Sequence, residues 1–398
     1  MQWDGARESP IDDFFRDFWL YSRIKRASIF LMPEVSVMLL LRRQSTAGTA
    51  ILLLGILLLA VTPFASRAAT TPVPADKTRT ITSAAAEPAL RAQWKALFRS
   101  RSWAKLDALA ERLRSQRLRF QGGGWQLHVL YYVALVGNSP EQTDADWERR
   151  IAALKHWARA FPASPTPRIA LADVYSAYAW VARGTGEADS VTPEGWRLLN
   201  VREEEARRIL EGCEAICRSD PEWYNAMLGV DYAEGSSRSV VESLADEALQ
   251  KYPGYFYVVE DVTAYLLPKW YGAPGDTEQY AEAIADRLGG DEGDATYFFT
   301  AYIGLVEEYH CESCTPPAMS WPRIRRGFAA VERLYGTNNY EVNSLAYLAV
   351  RAGDKETAQK AFREIGENWN RDVWQSKADF DSERFALNLK QVEPSPSQ

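Results

Sequence analysis

Residues 306–317 read VEEYHCESCTPP and place a histidine, two cysteines and carboxylates within one short stretch. Glu307 and His310 are three apart, hence on one face of a helix, and Cys311 and Cys314 follow at C-x-x-C spacing. Zinc would accept His310 and the two thiolates, with a fourth ligand from Glu307 or from Cys213 and Cys217 in EGCEAIC. A redox dithiol has the same C-x-x-C spacing, but it opens a helix in a strand-helix fold, a pattern missing here. The order His-Cys-x-x-Cys also differs from the C-x-x-C-H that attaches haem. The third chemistry is structural. The chain has 4 cysteines, Cys213, Cys217, Cys311 and Cys314, and an even count in an oxidising compartment pairs most simply as disulfides. Zinc at Glu307, His310, Cys311 and Cys314 is the alternative.

What decides between these chemistries is the compartment. Within residues 38–68, Arg42 and Arg43 supply a positive start, Ala50–Val61 is apolar, Pro63 breaks the run, and Ser66-Arg67-Ala68 offers small residues before a cut. That order is a secretory signal. The charge-free span from Gln44 to Ser66 also reaches the ~20 residues that cross a bilayer, so an uncleaved inner-membrane anchor is the second reading. Either way the body is extracytoplasmic, periplasmic or secreted. Residues 1–37 read as a misassigned or disordered extension, with translation starting at Met32 or Met38, and 69–86 as a linker rich in Pro and Ala. The body is expected over 87–390, with a disordered tail over 391–398.

The net charge is −7, and the eight Lys/Arg and six Asp/Glu of residues 1–68 leave the remainder at about −9. An acidic body without a Lys/Arg stripe excludes nucleic acid and disfavours anionic lipid. Membrane association is expected only through the N-terminal segment, if it is uncleaved.

The elements that position the cysteines are helices. PALRAQWKALFRS and WAKLDALAERLRSQ space apolar residues by three and four, Gly122–Gly124 ends that pair, and WQLHVLYYVALVG is apolar nearly all round and should be buried. Thr192-Pro193-Glu194 and Asp220-Pro221 mark helix starts. No alternating run makes a strand, and the fold class is all-α. Leu228, Gly229, Tyr232, Ala248 and Pro253 stand at the spacing of a tetratricopeptide repeat; Leu345, Ala346, Ala358 and Phe362 match the same frame around a turn at Gly353-Asp354. Ala153, Trp157, Ala160 and Pro165 fit a second helix, and Leu171, Ala172 and Tyr175 a first. The expectation is an irregular α-α solenoid, with an irregular bundle as its rival.

The segment YLLPKWYGAPGDTEQYAEAIAD, 265–286, with Pro268, Trp270 and Gly272 in a P-x-W-x-G core, resembles a motif of an uncharacterised bacterial domain-of-unknown-function family. The segment 343–374 resembles that family's closing part at Asn343, Gly353, Asp354, Phe362, Gly366, Trp369 and Trp374. The resemblance covers about 175–375 and implies tetratricopeptide-like packing, with no known activity and no functional residue to carry over. Physically, Pro268 should stop a helix and Gly272 and Gly275 permit a bend. Trp270, with Tyr271 beside it, then plugs a helix junction or faces a groove.

Cys213 and Cys217 lie one helical turn apart, about 6 Å between Cα atoms, and bridging them requires the helix to end there, as Arg218-Ser219-Asp220-Pro221 suggests. A bridge to Cys311 or Cys314 would close a loop of about 100 residues, but stacked repeats touch only their neighbours, so local pairing is expected.

Catalytic patterns are otherwise sparse. His128 reads as a core residue and His156 as a surface one; Gly122–Gly124 reads as a helix breaker, REEEARR at 202–208 as a solvated face, and DEGD at 291–294 as a helix start. The functional expectation is a non-catalytic, exported helical-repeat interaction module with no cofactor, which binds a protein or peptide in the bacterial envelope, with some of the 14 Trp and 19 Tyr lining its groove. The alternatives are an extracytoplasmic hydrolase or zinc enzyme, and a glycan binder using exposed aromatics.

Overall fold

The computed structural model describes residues 81–137, 142–184, 188–309, 319–374 and 376–387, excepting the side chains of 305–309. The leader, Cys311, Cys314 and His310, and the Glu307 side chain lie outside that set. The described chain is helical: α1 (Glu87–Arg99), α2 (Trp103–Gln116), α3 (Gln126–Val129), which runs on as a π-helical stretch Leu130–Val136, α4 (Asp144–Ala160), α5 (Thr166–Arg183), α6 (Pro193–Gly212), α7 (Glu214–Cys217) and α8 (Pro221–Glu234). Then follow α9 (Arg238–Lys251), α10 (Tyr257–Tyr265), α11 (Asp276–Leu288), α12 (Gly290–Tyr309), α13 (Trp321–Tyr335), α14 (Asn339–Arg351), α15 (Lys355–Ile365) and α16 (Lys377–Ala386). No described helix is long and apolar enough to cross a membrane.

Local chemistry sets the helix ends. Thr192 Oγ accepts from the Gly195 amide at 3.0 Å, and Asp220 Oδ1 from the Glu222 amide at 2.9 Å, each capping a helix with proline in its first turn. Gly353 turns the chain with φ +70 and Asp354 caps α15 through the Thr357 amide. The run expected to be buried is buried throughout Gln126–Val136, and its π-helical part closes with the Gly137 amide on the Tyr132 carbonyl at 3.1 Å.

Sequential helices pack as antiparallel neighbours, most extensively α5 with α6, α12 with α13 and α14 with α15. Buried ionic and polar hubs tie non-neighbours together. Arg114 of α2 donates to Asp220 Oδ2 at 2.6 Å and to Thr166 at 2.9 Å, and Tyr131 donates to the same Asp220 oxygen at 2.8 Å. Asn343, fully buried on α14, accepts from the Asn370 amide at 3.1 Å and the Trp374 indole at 2.9 Å while donating to the Asn339 carbonyl at 2.8 Å. Asn343→Ala should therefore cost about 2 kcal/mol, because the Asn370 and Trp374 donors stay buried without an acceptor. Chemical denaturation checks this, and an unchanged midpoint contradicts it.

The start of the helical array meets the α13–α14 junction. Residues 81–86 were expected to close the linker, yet Ile81–Thr82 pairs in parallel with Arg119–Phe120, and the Ala84 amide bonds Gln121 Oε1 at 2.8 Å. The following glycines lie against the α13–α14 junction, far along the chain. The Gly122 amide bonds the Gly336 carbonyl at 3.1 Å, and Asn338 Nδ2 bonds the Gln121 carbonyl at 2.9 Å across 217 residues. Gly122 and Gly123 have φ +85 and +89, and a Cβ on them would sit 2.4 Å from the Glu341 carboxyl and 2.7 Å from the Tyr335 ring. The triplet ends a helix, as expected, and it also admits this close approach.

Cys213 breaks α6 from α7, and its sulfur lies 2.13 Å from that of Cys217, with Cα atoms 5.4 Å apart. The break falls at the first cysteine, earlier than Arg218–Pro221. Closing so short a loop is worth about 2 kcal/mol in the chain-entropy model. Reduction should lower stability by that amount with helicity unchanged, as read by circular dichroism during urea unfolding; loss of helicity on reduction would contradict it.

Candidate functional site

Beside this contact lies a cavity of about 80 Å³, walled by the start of α1, the Phe120–Gly124 loop, α3 and its π-helical extension, α10, α12 and the start of α14. Its walls are mostly rings, among them Tyr132, Phe256, Tyr257, Phe299 and Tyr340, and its polar groups include the carboxyls of Glu87, Glu260 and Glu341. The rings brace one another: Phe256 stacks on Phe299 at 4.4 Å and Tyr257 on the His128 imidazole at 3.6 Å.

Each carboxyl is held differently. Glu87 is paired with Arg91 one turn on, and burial still pushes its pKa up. Glu341 is the N3 member of the α14 capping box, accepting from the Asn338 amide at 2.9 Å. Burial outweighs that bond and pushes Glu341 up to about 7. The Glu260 side chain, on α10, has no hydrogen bond or ion pair to any described residue; it is half-buried and lines the cavity. Burial, and then the charge of Asp261, push its pKa well above the usual carboxylate range.

His128 sits on the same wall. Its Nδ1 lies 3.0 Å from Glu222 Oε2, and the Tyr255 hydroxyl also donates to Glu222. Glu222 thus fixes the orientation of the ring through Nδ1. The histidine is buried and partnered, as expected of a core residue, while also lining the cavity.

The remaining candidates fall as follows. Trp270 is half-buried against Tyr232, 4.9 Å away, and Trp180, 6.5 Å away, so it fills a junction between α5 and α8. Tyr271 is 46% exposed, stacks on Tyr265 at 4.8 Å and donates to the Tyr232 carbonyl. His156 is exposed. Glu203 in REEEARR departs from the solvated face: it is buried and accepts from Ser176, while Arg207 reaches Asp231 and Glu234 on α8. In DEGD, Asp291 pairs with Arg333 and Glu292 accepts from Tyr335. The aromatic excess serves the interior, with Trp94, Trp103, Trp125, Trp147, Trp157, Trp180, Trp223 and Trp374 all buried. Among the described residues the exposed large rings are Trp196 on α6, Tyr271 in the turn after α10 and Phe385 on α16.

Apart from His128 and the Gly122–Gly124 run, the cavity residues were not singled out from sequence. The available signals were two: Glu260, a carboxylate inside the apolar run YFYVVEDVTAYLL, and the glycine triplet. Among the described residues, no three His, Cys, Asp or Glu side chains converge closely enough to hold a metal ion. Comparison of the chain with family models, with curated proteins and with solved structures finds no match.

Proposed function

We propose that this chain is a non-catalytic helical-repeat binding module, acting outside the cytoplasm, that takes its ligand in the cavity between its first helices and the start of α14. The observation that carries this reading is Glu260, an ionisable group set at a ring-lined cavity without a partner among the described residues. Such a group costs stability, and binding sites are where that cost is retained. The Cys213–Cys217 contact supports export, since disulfides persist in oxidising compartments. Tetratricopeptide-like stacking, and the family resemblance at 265–286 and 343–374, belong to the same proposal. A protein or peptide partner would engage by inserting a side chain into the cavity.

The test is to purify the native protein from the envelope fraction, extract what it carries and identify it by mass spectrometry. The extract should raise the melting temperature of the wild type and not of Val129→Phe, which fills the cavity wall. A variant that retains the ligand and the shift would overturn the reading.

One observation favours a second reading as a hydrolase: the Glu222-oriented imidazole of His128 has the geometry of a general base. Chemical change of the extracted ligand on incubation, lost in His128→Asn, would move the assignment there.

A further inference from the structure

The cavity is lined by the carboxyl groups of Glu87, Glu260 and Glu341 and by the hydroxyl-bearing rings of Tyr132, Tyr257 and Tyr340. Gln121 and Asn338 are engaged in part: Gln121 Oε1 takes the Ala84 amide, Asn338 Nδ2 the Gln121 carbonyl, and Asn338 Oδ1 the Tyr340 amide. The nearby guanidiniums face elsewhere. Arg91 holds Glu87, and Arg119 lies over Trp125 at 4.4 Å, donating to the Gly123 and Gly254 carbonyls.

Neither Lys nor Arg is among the residues that line the cavity, so an entering anion would meet no counter-charge. A metal ion would need three convergent ligands, which are not brought together among the described residues. An alkylammonium group fits both features at once, since its charge is met by a carboxylate and its methyl or methylene surface by aromatic rings. We propose that the cavity binds an alkylammonium group, with Glu260 as its counter-charge and the rings of Tyr132, Tyr257 and Phe299 as its walls. The proposal rests on the binding reading above. The group could come from a free amine or from a lysine side chain of a peptide, and the chemistry is shared.

Binding then exchanges protons. The groups around Glu260 are Asp261 and Tyr257 on its own helix, His128 and Tyr132 on the α3 wall, Tyr340 and Glu341 on α14, and Glu87 on α1, with Arg91 and Arg119 engaged as above. Burial keeps the Glu260 carboxyl protonated in the empty site. An entering cation favours the carboxylate, so Glu260 loses its proton to the buffer as the ion pair forms, and affinity rises with pH.

The experiment is titration calorimetry on the full-length protein. The probes are propyltrimethylammonium, n-butylamine, a short lysine peptide and the neutral isostere 3,3-dimethylbutan-1-ol, each in buffers of differing ionisation heat. The cationic probes should bind at least tenfold more tightly than the alcohol and release up to one proton, and Glu260→Gln should lose tenfold or more. A peptide that outbinds both amines would identify the source as a protein partner; amines that outbind the peptide would identify a free ligand.

Equal binding of the alcohol, absence of proton release from the wild type, or unchanged affinity in Glu260→Gln would overturn the proposal. Proton release is read on the unmodified chain and so does not depend on the variant folding. A native ligand that proves uncharged would defeat this inference while leaving the binding reading standing. Loss of any cavity ligand would defeat both.

Discussion

Lowering the pH from 8 to 5 should stabilise this protein, the reverse of what paired carboxylates produce. Glu341 has its folded midpoint raised from 4.5 to about 7 by burial. Between those values the folded state holds a proton that the unfolded state has released, so stability falls as pH rises through the window and levels off above it. A displacement of that size corresponds to about 3 kcal/mol for a fully buried group. Glu260 and Glu87 are raised as well and act in the same direction. The carboxylates that oppose this, Asp276, Asp291 and Asp354, have folded midpoints lowered from 3.8 by caps or arginines, so their contribution is lost only at lower pH. Urea midpoints at pH 5, 6, 7 and 8 measure the slope. Glu341→Gln keeps the carbonyl that caps Asn338 and removes the proton, and it should flatten much of the profile. A wild type whose stability is constant or rises over this range would contradict the burial described.

Gly272→Ala should be more damaging than any other single change considered, at about 4 kcal/mol. After α10 the chain folds back on itself, with the Tyr271 amide on the Tyr265 carbonyl at 3.1 Å. A Cβ at Gly272 would sit 1.9 Å from the Leu266 carbonyl oxygen, which is backbone and cannot rotate away. The bend carries Trp270 into the junction between α5 and α8, so relieving the clash would dislodge a ring packed against Trp180 and Tyr232. Gly353→Ala is the control. Its backbone is left-handed, φ +70, as that of Gly272 is not, but it faces open space, so alanine there should cost only about 1 kcal/mol of backbone strain. Equal losses in the two variants would show that the Leu266 approach is looser than described.

The helices were legible because their signals are local. The period of α8 and α9, the Gly353-Asp354 turn and the Thr192 and Asp220 caps each span a few residues, and local patterns report local structure. Proline and glycine in the P-x-W-x-G segment likewise announced a bend, and a junction at Trp270 was one of its two readings.

The candidate site was not legible, because it is assembled from Glu87 to Glu341 by contacts that no period encodes. Gly122–Gly124 was read only as a breaker, since its partners, Tyr335, Gly336 and Glu341, lie more than 200 residues away. Arg207 and Glu203 illustrate the same limit within one helix. The i, i+4 spacing proposed a solvated pair, while the packing of α6 against α5 and α8 buries Glu203 and draws Arg207 across. Composition does not say where tryptophans go: among the described residues, eight of them fill the interior.

The proton on Glu260 is the most direct observable. Carboxyl-resolved NMR of glutamate-labelled protein, with Glu260→Gln to assign the signal, should show Glu260 protonated in the empty protein at a pH where ordinary glutamates are ionised. Saturation with propyltrimethylammonium should convert it to carboxylate. A Glu260 that titrates in the ordinary range, or that keeps its proton when the amine is bound, would contradict the account.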